Sequence, residues 1–264
     1  MGWLRLIWRA LRLSLHLGLG ITLTLLICRR DRRTGTYRHN PYVVSWWNDR
    51  LLHILQVEVE VVGHRPQAPA LLVANHVSWL DVPVIASLAH TSFLSKDEIR
   101  AWPVVGWLAA TAGTLFIQRG GGQAGAITQA ISQRLAADGL VTLFPEGTTT
   151  DGSDVRPFFS RLFGSAIDTH TRVIPVGLHY HVVGRLDPLA PFIGDQTLVH
   201  NLLGILKRRR SQVRVTFGTA IDTAGMDRKG AAETARHAIR AAIGATPPAQ
   251  SDTAAAPAAQ RLSS

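Results

Sequence analysis

Residues 70–81 read ALLVANHVSWLD, an apolar run followed by a polar turn. Four consecutive apolar residues indicate a buried strand, and His76 would lie where this strand leaves the sheet. Ser78 is a candidate N-cap for a following helix, with Asp81 in its first turn, where the helix dipole favours a carboxylate that can reach the imidazole. The segment therefore predicts a histidine–carboxylate pair suited to general base chemistry, or else a turn whose polar groups satisfy only the local backbone.

The rest of the chain alternates between strand and helix patterns around this turn. Apolar alternation or short apolar runs predict strands over residues 57–61, 70–73, 91–94, 114–117, 140–144, 173–183 and 212–217. Helical spacing predicts helices over residues 42–55, 82–88, 97–100, 104–110, 124–137 and 228–243. This order predicts an α/β fold, a single layered domain with a mixed, largely parallel sheet flanked by helices, with its chemistry at strand ends.

Composition limits the classes of function. The net charge of +10 over 264 residues indicates an anionic partner such as nucleic acid, an anionic membrane surface or a phosphorylated substrate. We predict no nucleic acid partner, because no nucleic-acid motif occurs and the charge runs flank hydrophobic segments. Cys28 is the single cysteine, which excludes an intramolecular disulfide. His179 and His181 would share one strand face, but no cysteine or carboxylate beside them has ligand spacing, so no metal is predicted.

Residues 1–55 are predicted to be membrane-anchoring N-terminal helices. Residues 13–28 carry no formal charge, but this run is shorter than the ~20 residues that span a bilayer comfortably. A spanning helix, an in-plane amphipathic anchor and a cleaved signal peptide all stay open, although no Ala-x-Ala site follows. The folded domain is predicted over residues 56–244. Residues 245–264 are rich in Ala, Pro and Ser, lack periodicity and are predicted to be a disordered tail.

Three further clusters follow predicted strands. Residues 113–119, GTLFIQR, place Arg119 where a guanidinium can capture phosphate or carboxylate, or is simply a solvated loop arginine. Residues 144–152, FPEGTTTDG, combine a carboxylate, a glycine and three hydroxyls, too polar a set for an ordinary connector. Residues 174–176, IPV, are a weak signal by themselves, because a proline in an apolar strand is usually an edge feature.

Together the four clusters resemble the glycerolipid acyltransferase family, typified by the 1-acylglycerol-3-phosphate acyltransferases. The family block Asn-His-x-Ser-x-x-Asp matches Asn75, His76, Ser78 and Asp81. The block Gly-x-x-Phe-Ile-x-Arg matches Gly113, Phe116, Ile117 and Arg119. The block Phe-Pro-Glu-Gly-Thr matches residues 144–148. Pro175 lies where the fourth block is expected. The resemblance covers most of the predicted domain, and four ordered blocks are far more specific than any one of them.

The resemblance implies acyl transfer from acyl-CoA or acyl carrier protein to the free hydroxyl of a lysolipid. His76 would be the general base, and Asp81 would orient its imidazole. No Gly-x-Ser-x-Gly occurs, so direct transfer is predicted, with the acyl donor as co-substrate and no cofactor. The substrate-binding residues that the blocks imply are Asn75, Ser78, Phe116, Arg119, Pro145, Glu146, Gly147, Thr148 and Pro175.

The two residues that follow the Glu-Gly-Thr block leave the acceptor open. Lysophosphatidate enzymes commonly carry Arg and then Ser there, whereas this chain has Thr149 and Thr150. We predict 1-acyl-sn-glycerol-3-phosphate as the acceptor, giving phosphatidic acid. The alternative is a lyso-ornithine lipid, because the Thr-Thr-Asp-Gly continuation is similar to the branch of the family that acylates it. The enzyme is expected at the membrane, with its active site on the cytoplasmic face.

Overall fold

The structure is a computed structural model that describes residues 2–30, 37–38, 40–117 and 124–245. Its helices are α1 (Gly2–Ile27), α2 (Pro41–Leu55), α3 (Asp81–Leu88), α4 (Asp97–Arg100), α5 (Val105–Thr111), α6 (Ala124–Ala136), α7 (Gly164–Asp168), α8 (Leu198–Lys207) and α9 (Arg228–Ile243), with a 3-10 turn at Ser160–Phe163. Its strands are β1 (Arg29–Arg30), β2 (Tyr37–Arg38), β3 (Val57–Val62), β4 (Ala70–Ala74), β5 (Thr91–Lys96), β6 (Leu115–Ile117), β7 (Leu140–Leu143), β8 (Val173–Val182), β9 (Arg185–Leu186) and β10 (Ser211–Phe217).

The main sheet has the strand order β3-β10-β8-β4-β7-β5-β6. Neighbouring strands are parallel, except that β10 runs antiparallel to β8 and the short β9 pairs antiparallel with β8. Strands β1 and β2 form a separate antiparallel ladder. The predicted α/β architecture, a mixed and largely parallel sheet flanked by helices, is therefore confirmed.

Strand β4 lies inside the sheet, between β7 and β8, and all five of its residues are buried. Leu72 and Ala74 belong to a core on one face, shared with residues of α2, α3 and α8. Leu71 and Val73 belong to a core on the other face, shared with residues of α6, α7 and α9. A strand covered on both faces is apolar throughout because neither face meets water. This is why the run before His76 is continuous rather than alternating.

Helix α1 packs against α2 and α8 along one side. Its buried residues are Leu6, Arg9, His16 and Gly20, which share this inward side. Among the described ranges, α1 is the one helix long and apolar enough to cross a membrane, a test of length and composition alone.

The structure differs from the sequence predictions at the start of α3 and at α8. Ser78 does not cap α3: the helix begins at Asp81, and the Ser78 hydroxyl has no hydrogen-bond partner among the described residues. The cap prediction is wrong because the Asp81 carboxylate, rather than the hydroxyl, accepts the N–H groups of this turn. Helix α8 has no counterpart among the predicted helices, although its N-cap Thr197 accepts from the His200 N–H. The predicted disordered tail, residues 245–264, lies outside the described residues except for Ala245.

Candidate active site

The candidate site forms at the carboxyl ends of β4 and β7, where the fold brings two distant polar segments together. Val73 of β4 pairs in parallel with Leu143 of β7, so the segments that follow the two strands emerge side by side. One segment carries His76 and the other carries Glu146. Clefts at the carboxyl ends of parallel strands are the usual ligand sites of open α/β sheets.

His76 and Asp81 form a short hydrogen bond, with 2.7 Å between Nδ1 of the imidazole and Oδ2 of the carboxylate. The same oxygen accepts the backbone N–H groups of Val77 at 2.8 Å and Ser78 at 3.0 Å. Because an ionised carboxylate only accepts hydrogen bonds, the imidazole donates from Nδ1, and in the neutral ring Nε2 is then the acceptor. The Asp81 side chain is fully buried, whereas that of His76 is 21% exposed. The pair therefore presents an accessible basic nitrogen supported by a buried anion.

Tyr180 of β8 completes the surroundings of Asp81. Its hydroxyl donates to Oδ1 of the carboxylate at 2.7 Å. Burial, reinforced by the negative charge of Asp81, raises the pKa of the Tyr180 phenol well above its ordinary value, so the group remains a donor. The motifs of the sequence do not include Tyr180. The one signal available is strand alternation, which places Tyr180 on the face of β8 opposite to His179 and His181.

Aromatic rings cover one face of the imidazole. The ring of Phe144, at the end of β7, stacks on His76 with 4.2 Å between the ring centroids and 19° between the planes. Phe93 of β5 stacks beyond it, with its centroid 6.3 Å from that of Phe144. These contacts restrict rotation of the imidazole.

Glu146 ties the His76 segment to the following loop. One carboxylate oxygen accepts the backbone N–H of His76 at 2.7 Å, and the other accepts that of Arg156 at 2.8 Å. Burial raises the pKa of Glu146, and this effect outweighs the two N–H donors, which lower it. In this structure Glu146 therefore fixes the backbone from which the imidazole projects. Its predicted contact with the acceptor stays a prediction.

The loop of residues 147–152 contacts the His76 turn and the segment that carries Phe192. The Thr150 N–H donates to the His76 carbonyl oxygen at 2.8 Å, and the Thr149 hydroxyl donates to the carbonyl oxygen of Phe192. Gly152 has a φ of +79°, and a Cβ there would approach Val77 Cγ2 to 3.1 Å. Thr149 and Thr150, which stand where lysophosphatidate enzymes commonly carry Arg and Ser, thus donate their hydroxyls to the protein's own carbonyls.

The other predicted site residues are distributed around this centre. Asn75 is buried, and its amide exchanges two hydrogen bonds with the Leu178 backbone, at 2.7 and 2.9 Å. Pro175 lies beside Val73 in the sheet, so the fourth block is one strand away from β4. The remaining positions are buried Ser78 and Pro145, half-buried Phe116 and Gly147, and exposed Thr148. Arg119 lies outside the described residues.

Metal ligation has no support from the described side chains. Within the described residues, no three His, Cys, Asp or Glu side chains are grouped so that they could hold a metal ion. His179 and His181 share a strand face as predicted, with their rings stacked 5.9 Å apart. That no metal is needed stays a prediction.

Known proteins similar to this chain share one chemistry. A family profile described as Acyltransferase matches residues 56–179. A lyso-ornithine lipid O-acyltransferase of Pseudomonas aeruginosa is 41% identical over 255 residues, which cover 96% of this chain and 99% of that protein. A 1-acyl-sn-glycerol-3-phosphate acyltransferase of Neisseria meningitidis is 34% identical over 197 residues, which cover 73% of this chain and 77% of that protein.

A solved structure shares the fold. The 1-acyl-sn-glycerophosphate (LPA) acyltransferase PlsC of Thermotoga maritima superimposes with a TM-score of 0.65, covering 92% of this chain and 95% of that one. The two sequences are 19% identical, so this likeness concerns the fold alone. The family resemblance carried by the four sequence blocks is confirmed by the matched profile and by the relatives that span the chain. The protein belongs to the acyltransferase family.

Proposed function

We propose that this enzyme transfers an acyl chain from acyl-CoA or acyl carrier protein to the hydroxyl of a lysolipid, with His76 as the general base. The observation that carries the proposal is the His76–Asp81 pair: the 2.7 Å hydrogen bond between Nδ1 and Oδ2 orients the neutral imidazole so that Nε2, on a partly exposed side chain, can accept a proton. Nε2 takes the proton of the acceptor hydroxyl while the hydroxyl oxygen attacks the thioester carbonyl. The C–S bond then breaks, and the departing thiolate receives that proton from the imidazolium.

Asp81 stabilises the imidazolium that forms between these two proton transfers. Because the acceptor oxygen attacks the donor directly, no acyl-enzyme is formed, and the chain's own residues only move a proton and hold the two substrates. Glu146 supports this step by fixing the backbone of His76, to which it is bonded at 2.7 Å. Arg119, Thr148 and the neighbouring motif residues are proposed to contact the acceptor head group.

A lyso-ornithine lipid is the acceptor that we favour, ahead of the 1-acyl-sn-glycerol-3-phosphate expected from the sequence blocks. The relative named for lyso-ornithine lipid is 41% identical over nearly the whole chain, against 34% over 73% of the chain for the relative named for 1-acyl-sn-glycerol-3-phosphate. The loop after the Glu-Gly-Thr block also favours lyso-ornithine lipid over 1-acyl-sn-glycerol-3-phosphate. Thr149 supplies no cation for a phosphate monoester, and it donates its hydroxyl to the Phe192 carbonyl.

1-Acyl-sn-glycerol-3-phosphate remains the second candidate acceptor. Arg119 belongs to the Gly-x-x-Phe-Ile-x-Arg block and is suited to bidentate capture of a phosphate. The same guanidinium would also bind the carboxylate of an ornithine head group, so this residue does not separate the two acceptors.

The enzyme is proposed to lie on the membrane surface through α1 rather than to cross the bilayer. One side of α1 exposes a stripe at helical spacing: Leu4, Trp8, Leu11, Leu15 and Leu19. The other side of α1 is hydrogen-bonded to the domain. Arg9 donates to the carbonyl oxygens of Leu206, Arg208 and Arg209. His16 hydrogen-bonds to the Trp47 carbonyl oxygen at 3.0 Å. A helix docked in this way can bury only its free side in lipid. We place it on the cytoplasmic face, where both donors occur.

The test is a transfer assay with purified enzyme in anionic phospholipid vesicles. Labelled acyl-CoA or acyl carrier protein is offered with lyso-ornithine lipid or with 1-acyl-sn-glycerol-3-phosphate, and kcat/KM is measured for each pair. We expect acylated product with both acceptors and the higher kcat/KM with lyso-ornithine lipid. A higher value with 1-acyl-sn-glycerol-3-phosphate would contradict the acceptor assignment, and transfer to neither lipid would contradict the proposed function.

A further inference from the structure

We propose that Tyr180 is a positioning residue for the acyl transfer, which holds Asp81 and through it the imidazole of His76. This inference rests on the proposed function, because it concerns the same histidine–carboxylate pair. Tyr180 lies 99 residues from Asp81 along the chain, and its hydroxyl reaches Oδ1 at 2.7 Å. This hydrogen bond joins strand β8 to the segment between the end of β4 and the start of α3, which carries His76 and Asp81.

The two oxygens of the Asp81 carboxylate have different partners. Oδ2 accepts from His76 Nδ1 and from the N–H groups of Val77 and Ser78. Oδ1 accepts from Tyr180, the one hydrogen bond that the described part of the chain gives it. Rotation of the carboxylate about the Cβ–Cγ bond moves both oxygens together, so a donor on Oδ1 restrains the same torsion as the three donors on Oδ2. The bond from Tyr180 therefore helps to keep Oδ2 directed at the imidazole nitrogen.

Tyr180 is a rigid donor. Its side chain is buried, its residue pairs with Val213 of β10, and its carbonyl oxygen accepts the Asp187 N–H at 3.1 Å. The raised pKa of its phenol keeps the proton in place throughout the range in which the enzyme would work. The other charged groups that act on the phenol are Arg208 and Asp187, which pair with each other at 2.7 Å. Glu146 is the titratable group of the neighbouring loop that acts on both His76 and Asp81, and it is unchanged in the variants below.

The same hydrogen bond moderates the charge of Asp81. Without the Tyr180 hydroxyl, the carboxylate would concentrate its negative charge on the imidazole and favour the imidazolium form of His76. Loss of the hydroxyl should therefore raise the pH at which the base becomes active, while the looser carboxylate lowers turnover. A tyrosine that only fills the core would not change this pH dependence.

The first test is Tyr180→Phe, assayed in vesicles with lyso-ornithine lipid and labelled acyl-CoA. We expect kcat to fall about tenfold, the low end of the effect of a hydrogen bond to a charged group, with KM nearly unchanged. The acidic limb of the kcat profile should move to higher pH. The matched control is Thr142→Val on β7, which removes a buried hydroxyl that is hydrogen-bonded to the Thr91 hydroxyl at 2.9 Å. This variant should leave the pH profile as in the wild type.

A second variant covers the case in which Tyr180→Phe folds poorly. Incorporating 3-fluorotyrosine at position 180 keeps the ring and the hydroxyl but makes the phenol a stronger donor. The acidic limb should then move to lower pH, opposite to the effect of phenylalanine.

Two outcomes would overturn the role of Tyr180. One is a pH profile that neither change moves. The other is a loss of kcat in Tyr180→Phe that matches Thr142→Val and leaves the profile in place. In both, the wild type still transfers acyl chains, so the proposed function stands. A wild-type enzyme that transfers no acyl chain to either lysolipid would instead contradict the proposed function, and the role of Tyr180 with it.

Discussion

Replacing Asp81 with asparagine removes the charge of the carboxylate and changes little of its shape. In the wild type, His76 Nδ1 and the N–H groups of Val77 and Ser78 all donate to Oδ2 of Asp81. The amide oxygen of asparagine can accept the same three hydrogen bonds. The amide N–H would face the Tyr180 hydroxyl, which can turn to accept it. The variant should therefore fold, and the change in rate should report the charge.

The magnitude follows from the position of that charge. His76 Nδ1 lies 2.7 Å from Oδ2, so the centres of the imidazolium and carboxylate charges are roughly 4 Å apart. At an effective dielectric constant of ~20, such a pair attracts by about 4 kcal/mol. The imidazolium forms only as the acceptor loses its proton, so this energy is lost from the transition state, and kcat should fall about 10³-fold.

The assay is transfer of labelled acyl chains to lyso-ornithine lipid in vesicles, with the Tm of each protein measured alongside. Asp227→Asn is the matched control, because Asp227 caps α9 by accepting the Gly230 N–H and asparagine is an equally good cap. It should retain wild-type kcat. A folded Asp81→Asn enzyme with turnover close to the wild type would refute the charge-stabilised imidazolium.

Three further changes test the loop, the acceptor and the membrane surface. Burial raises the pKa of Glu146, so its contribution to folding stability is complete below the unfolded pKa of about 4.3 and is lost as the pH rises through the folded pKa. The Tm of the wild type relative to Glu146→Gln should therefore fall as the pH rises above about 4.3, and a difference that stays constant with pH would contradict the shift. Thr149→Arg should raise kcat/KM for 1-acyl-sn-glycerol-3-phosphate relative to lyso-ornithine lipid about tenfold, as one charge-assisted hydrogen bond would; an unchanged ratio would remove this position from acceptor choice. Leu11→Glu with Leu15→Glu, both on the exposed stripe of α1, should release the enzyme from anionic vesicles in a flotation assay, whereas undiminished binding would place the membrane contact elsewhere.

Local patterns predict the parts of this fold that are close together in sequence. The apolar run of residues 70–73 predicts the buried strand β4. The spacing of five residues predicts the His76–Asp81 contact, because the end of a strand and the first turn of the following helix bring the two side chains together. The start of helix α3 is harder to predict. Ser78 has the composition of an N-cap, but the nearby carboxylate of Asp81 outcompetes its hydroxyl for the N–H groups of the turn.

Contacts between distant segments are not visible in the sequence. Tyr180 alternates with two histidines on β8, and nothing local indicates that its hydroxyl meets a carboxylate 99 residues away. Glu146 reads as a ligand because it lies in a polar strand-end loop, yet both its oxygens accept backbone N–H groups, one of them from His76, 70 residues away. Both contacts depend on the order of β8, β4 and β7 in the sheet, which periodicity does not determine.

The central claim is that His76 removes the proton of the acceptor hydroxyl, and the kcat of His76→Ala tests it most directly. The measurement uses labelled acyl-CoA and lyso-ornithine lipid in vesicles, with His237→Ala as a control, because His237 is an exposed histidine on α9 outside the candidate site. We predict that His76→Ala lowers kcat by ~10²–10⁴-fold, the range for loss of a general base, and that the control is unchanged. A folded, membrane-bound His76→Ala enzyme with near-wild-type turnover would contradict the claim.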